Sequence, residues 1–197
     1  MLFAAVAFGY LLGSVPFAFV LSRRLRGIDI RQLGSGNVGA ANVLRTTGVR
    51  AALTVMALDA CKGAGSVLVV QRWAGGDTAP ALAGVAAIIG HVYPLWLRFR
   101  GGKGVATAAG VFSVLTPLAL VPALAVFVVT VWMTRFISLG SVVATLALGP
   151  IAYVLNAPEI AVFAAVVSAA VIVFRHRANL ARVRAGTERR IGYRVQL

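Results

Sequence analysis

The run GVATAAGVFSVLTPLALVPALAVFVVTVWMT, residues 104–134, decides the fold. It carries no charge over about 31 residues, some 46 Å of helix at ~1.5 Å per residue, against a hydrocarbon core of roughly 30 Å. As one kinked helix it crosses a bilayer once. Folded back near Pro117 it crosses twice, and Pro117 and Pro122 are the interruptions that permit either.

Charge chooses between the two. Further apolar stretches run over 2–22, 51–71, 80–97, 139–155 and 158–174. The basic loop with Arg23, Arg24, Arg26, Arg31, Arg45 and Arg50 belongs in the cytoplasm by the positive-inside rule. Following the chain through alternate sides puts the N-terminus outside, Arg72 and Asp77 outside, and Arg98, Arg100 and Lys103 inside. A single crossing by 104–134 would strand Arg175, Arg177, Arg182, Arg184, Arg189, Arg190 and Arg194 outside. Two crossings bring Arg135 and that whole tail in. The first half of the hairpin is then short, about 13 residues, and must start inside the preceding glycine loop, tilt, or sit in thinned bilayer.

The expected fold is therefore an all-α integral membrane protein of about seven transmembrane helices, N-terminus outside and C-terminus cytoplasmic, with residues 1–197 forming a single domain. Composition agrees: 60% hydrophobic residues, mean hydropathy +0.91 and only 12% charged, where soluble domains carry about a quarter. The formal charge of +14 flanks the spans, so topology explains it better than nucleic acid, which is not expected as a partner. The lone cysteine, Cys61, excludes an intramolecular disulfide and a cysteine-based metal site. No metal set and no cofactor motif is visible. Residues 1–22 read as a retained first span, since no basic region precedes them and no small-residue cleavage pattern follows.

Four clusters carry chemistry. In the first cytoplasmic loop, Gly34, Ser35, Gly36, Asn37, Gly39, Asn42 and Arg45 contain Gly-x-Gly-x-x-Gly with Asp59 about 20 residues on. As a dinucleotide fingerprint the match is weak, because that turn must follow a soluble strand and this one follows a membrane span. The glycines still expose N–H groups, a helical turn from Val38 to Arg45 offers its N-terminus, and the Ser and Asn side chains add donors, all suited to phosphate. The second cluster runs from Gly90-His91 to Gly101-Gly102-Lys103-Gly104 and Thr107. Walker A spacing fails, because it needs Gly at Leu97 and Ser or Thr at Gly104. What remains is a lysine between glycines at a helix start with a hydroxyl one turn on, able to meet an oxyanion.

Asp59 and Lys62 share a face inside the second span, either as a structural pair or with the lysine on a ligand. In the tail, His176 and Asn179 stand three apart just below the last span. Arg135 with Ser138 and Ser141 forms a short cap before the sixth. All four clusters fall on one membrane face, as a phosphate-bearing substrate beside lipid requires.

The stretches Gly34 to Asn42 with Arg45, Asp59 to Gly63, Gly90-His-Val-Tyr-Pro94 with Phe99 to Thr107, and His176-Arg-Ala-Asn179 through Gly186-Thr-Glu188 resemble the bacterial acyl-phosphate:glycerol-3-phosphate acyltransferase family (PlsY) over nearly the whole chain. Departures are mild: Ala41 for threonine, Tyr93 for phenylalanine and Arg100 for lysine. The resemblance implies acyl transfer from acyl phosphate to the 1-hydroxyl of glycerol 3-phosphate, the first step of phospholipid synthesis, in the bacterial inner membrane with the active site on its cytoplasmic face. It also implies functional coupling to the enzyme that makes acyl phosphate. The His-x4-Asp pair of thioester-dependent acyltransferases is missing, since Trp96 and Ala181 stand five residues after His91 and His176. On this reading Lys103, Arg45, Ser35, His176 and Asn179 carry catalysis. Gly34, Gly36, Asn37, Gly39, Asn42, Lys62, His91, Gly101, Gly102, Gly104, Thr107 and Ser141 hold substrate. The hydroxyl proton passes to a substrate phosphate, or to His91 or His176.

Overall fold

The computed structural model describes residues 1–192; Arg194 lies outside the described residues. The chain is helical throughout, with no strand among the described residues: α1 Leu2–Gly13, α2 Phe17–Arg26, α3 Ala40–Thr46, α4 Val49–Trp73, α5 Thr78–Val92, α6 Val105–Leu115, α7 Pro117–Thr134, α8 Ile137–Val154 and α9 Glu159–Arg184.

Among the described residues, six stretches are long and apolar enough to span a bilayer, and α6, 11 residues long, is the short seventh. At about 16 Å it reaches only halfway through the hydrocarbon. The long apolar run does fold back where expected: α6 stops at Leu115, and Pro117 opens α7, where its missing N–H costs nothing. Pro122 sits inside α7 without ending it. Because α6 is too short to cross alone, its packing against α4 matters more than its length. A Cβ on Gly63 would collide with the Thr107 carbonyl, and one on Gly110 with the Ala60 carbonyl. The two backbones touch only because both positions are glycine.

Two boundaries differ from the sequence reading. The first apolar stretch is not one helix: Pro16 interrupts it, leaving α1 and α2 joined through Ser14–Pro16. At the interruption Lys62 reaches in from α4 and donates to the Val15 carbonyl (2.8 Å), while the Ser14 hydroxyl adds a second bond (2.7 Å) to the Tyr10 carbonyl that already accepts from the Ser14 N–H. The last helix runs ten residues past 174, to Arg184. Its inner face continues as Ile172, His176 and Asn179, all buried, while Arg177 and Arg184 stay exposed. That i, i+4, i+7 spacing is one helical stripe, so the polar site residues extend the face that packs α9 on the bundle.

Candidate active site

The glycine loop before α3 is folded by one buried amide. Asn42 accepts from the Ser35 N–H (3.0 Å) and donates to the Leu33 (3.0 Å) and Ile30 (3.2 Å) carbonyls. Gly34 and Gly36 take φ of 62° and 68°, the left-handed region in which a Cβ is strained. Asn42 was expected to orient a ligand, but its amide is committed to the loop. The following helix is shorter than expected, starting at Ala40 instead of Val38, with Arg45 in its last turn.

The second glycine loop folds back onto the end of α5. Gly101 donates to the Val92 carbonyl and Gly102 to the His91 carbonyl, each at 3.1 Å. The Arg175 guanidinium reaches the Gly101 and Gly102 carbonyls at 3.4 Å. Gly104, at φ 84°, turns the chain into α6. Lys103, between the two, donates its Nζ to Asn179 Oδ1.

The tail then locks this pair in place. Asn179 Nδ2 donates to Glu188 Oε1 (2.6 Å), Ser138 Oγ donates to the same oxygen (2.9 Å), and Arg182 Nε donates to Oε2 (2.8 Å). The Ile191 N–H closes on the Arg135 carbonyl at 2.8 Å. Glu188 thus fixes the Asn179 amide with its NH₂ toward the acid and its oxygen toward Lys103. His176 lies one turn before Asn179, with Nδ1 2.8 Å from the Ile172 carbonyl. A carbonyl only accepts, so Nδ1 carries the proton and Nε2 of the neutral ring is an acceptor.

Burial pushes the Lys103 ammonium down to about 8, and the neighbouring Arg182, Arg45 and Arg175 charges push the same way against Glu188. Burial likewise lowers Arg45, which stays a cation. For Glu188, burial works upward, but hydrogen bonds from Asn179, Ser138 and Arg182 prevail and hold the carboxyl below its usual range.

These pieces line one cavity of about 1200 Å³. Ser35, Gly36, Asn37, Gly39, Asn42, Arg45, His91, Gly101, Lys103, Gly104, Ser141, His176 and Asn179 are on its wall, as is the apolar set Met56, Leu124, Phe127, Val131 and Leu148 from α4, α7 and α8. Four expected residues are not. Gly34 and Gly102 shape their loops behind the wall. Thr107 is fully buried with the Gly63 close approach against its carbonyl. Lys62 is bonded to Asp59 Oδ1 (2.9 Å) and to Val15, so its place is structural, the first of the two alternatives left open by the sequence. Ser141 reaches the wall but donates to the Ile137 carbonyl, a bond inside its own helix instead of an N-terminal cap. Ser138, Arg175, Arg182 and Glu188 also line the wall, and none of them was given a site role from the sequence. The signal for Glu188 was available: one of only five acids in the chain, set among Arg182, Arg184, Arg189 and Arg190. No group of three or more metal-ligating side chains occurs among the described residues.

The sequence profile of the glycerol-3-phosphate acyltransferase family matches residues 3–186. Similar proteins include the glycerol-3-phosphate acyltransferases of Shouchella clausii (42% identical, 97% of this chain and 96% of that protein) and Brucella anthropi (45%, 97% and 94%). Among solved structures, the glycerol 3-phosphate form of PlsY (YgiH), an integral membrane glycerol 3-phosphate acyltransferase, superposes with a TM-score of 0.91 at 38% identity, over 97% of this chain and 96% of that one. Its lysophosphatidic acid form gives 0.89 at 37%, over 98% and 96%.

Proposed function

The chain belongs to the glycerol-3-phosphate acyltransferase family, and from that premise we propose that its acyl donor is acyl phosphate, which it transfers to the 1-hydroxyl of glycerol 3-phosphate. The hydroxyl oxygen attacks the acyl carbonyl carbon, the bond from that carbon to the phosphate oxygen breaks, and 1-acyl-glycerol 3-phosphate and inorganic phosphate leave. The observation that carries this reading is a single cavity whose cationic end, Lys103 and Arg45, runs into an apolar wall built from α4, α7 and α8. Two phosphates fit the first part and a fatty acyl chain the second.

Each group has a task in that reaction. Lys103, aimed by Asn179 and Glu188, meets phosphate as a point charge, and Arg45 offers a second cation from the end of α3. Ser35, Asn37 and the glycine N–H groups orient the bound anion. His176, with Nε2 as acceptor, holds the attacking hydroxyl, and the departing phosphate takes its proton, so no strong protein base is required. Most of the rate comes from placing two anions together and stabilising the charge that develops on the acyl oxygen and leaving phosphate. We place the enzyme in the bacterial inner membrane as a single domain, its active site cytoplasmic and functionally coupled to the enzyme that makes acyl phosphate. The basic loops, all expected on one face, support that orientation.

The test is a reconstituted assay with palmitoyl phosphate and radiolabelled glycerol 3-phosphate and no thioester. Labelled lysophosphatidate is the expected product. Turnover with palmitoyl thioester and none with palmitoyl phosphate would overturn the donor assignment.

A further inference from the structure

Asp59, Lys62 and His91 form a buried polar cluster that the reaction above does not use. Their side chains are 3%, 2% and 7% exposed. Asp59 Oδ1 lies 2.9 Å from Lys62 Nζ and 3.5 Å from His91 Nδ1. A carboxylate this deep in a spanning helix is costly unless neutralised. Lys62 neutralises it, and uses a further proton on the Val15 carbonyl.

That pair explains why α1 and α2 can break at Pro16, but it does not explain His91. The imidazole stands between Asp59 on its Nδ1 side and Gly102 on its Nε2 side. A Cβ at Gly102 would fall on His91 Nε2 and near the Val38 carbonyl, which belongs to the other glycine loop. The ring therefore lies directly beneath the backbone that leads into Lys103, while the His91 main-chain carbonyl takes the Gly102 N–H. Asp59 and His91 also reach the cavity wall, whereas Lys62 does not.

We propose that Asp59 is a positioning residue for the acyltransferase: it anchors the His91 ring, the ring supports the Gly101–Gly102 turn, and the turn sets where the Lys103 ammonium stands. The proposal rests on the family reading and adds to it a part of the machinery that touches no substrate. Lys62 has a separate task, cancelling the Asp59 charge so that the cavity presents no bare anion to two phosphorylated substrates. Misplacing Lys103 by an ångström is enough to lower turnover by about 100-fold.

The competing view is that Asp59 and Lys62 only brace the helix break. The two separate in the charge-neutral double variant Asp59→Leu/Lys62→Met, assayed in vesicles with acyl phosphate and glycerol 3-phosphate, beside His91→Gln and the triple variant. The wild type in the same vesicles checks the family reading independently, because absence of wild-type product is a failure of that reading alone. The expected double variant unfolds within a few degrees of wild type yet loses about tenfold or more in kcat/KM for glycerol 3-phosphate. The triple variant should then be no more than about twofold worse than the double, since His91 acts only through the same turn. A double variant with wild-type kcat/KM, or losses from Asp59 and His91 that multiply, overturns the proposal. Should the double variant not fold, Asp59→Asn, His91→Gln and their combination are read by the same non-additivity. Gly102→Ala, which presses a methyl onto His91 from the other side, should raise KM for glycerol 3-phosphate in the same way. An unchanged KM there also counts against it.

Discussion

Lys103 is the residue on which the site converges, and its neighbours explain both its placement and its titration. In Lys103→Ala the cavity loses its aimed cation, and Asn179 and Glu188 keep their mutual bond, so the fold should survive. We expect kcat/KM to fall by about a thousandfold, roughly 4 kcal/mol, comparable to removing one donor from a preorganised oxyanion site. Near-normal activity in folded protein would remove Lys103 from its role. The pH dependence follows in sign. In its proposed role only the ammonium form holds phosphate, and in the empty site burial brings its pKa to about 8, so kcat/KM should decline as pH rises through that value. Bound phosphate favours the ammonium, so the alkaline limb of kcat should lie at higher pH, and steady-state profiles in vesicles will show whether the two limbs separate. That Lys103 and Arg45 share one cavity wall was legible in the sequence, because each is a cation in or just after a glycine-rich loop in a very apolar chain. For Asn42 and Lys62 the sequence could not show that the amide holds the Leu33 and Ile30 carbonyls and that the ammonium holds Asp59 and the Val15 carbonyl, because composition cannot say whether such a group meets a substrate or the protein's own backbone. Glu188 was quoted without a role, since its contact with Ser138 bridges 50 residues and exists only once the tail folds back.

At the scale of elements, the crossing of α4 and α6 places Lys103 at the right height, because α6 begins one residue after Gly104. Gly110→Leu should force these helices apart, lower the thermal midpoint of the detergent-solubilised enzyme, and cost roughly 1–3 kcal/mol as an overpacked contact. Size-exclusion-coupled thermal unfolding reads this directly, and an unshifted midpoint would show that the backbones tolerate a wider crossing. The fold-back at Pro117 was legible because charge parity demanded it and proline marked the place. The break at Pro16 was not. A proline inside an unbroken apolar run looks the same whether it kinks or ends a helix, and the group that completes the broken end, Lys62, comes from another span. The extension of α9 was hidden for a related reason: hydropathy stops at the first arginines, but the helix runs on because one of its faces is still buried.

For the whole molecule, the same reasoning that counted the spans also oriented them. A Cys61→Ser background carrying Gly75→Cys in the α4–α5 connection or Arg184→Cys at the end of α9 tests it in intact bacterial cells. Gly75→Cys should react with a membrane-impermeant thiol reagent and Arg184→Cys only after permeabilisation; the reverse pattern would invert the protein. The most direct measurement of the central claim, attack at the acyl carbon of an acyl phosphate, uses palmitoyl phosphate carrying ¹⁸O in its bridging oxygen. The expected outcome is ¹⁸O wholly in the released phosphate, one phosphate per lysophosphatidate, and neither product from Lys103→Ala. Recovery of ¹⁸O in free palmitate would mean that the phosphorus–oxygen bond breaks instead, and would contradict acyl transfer at this site.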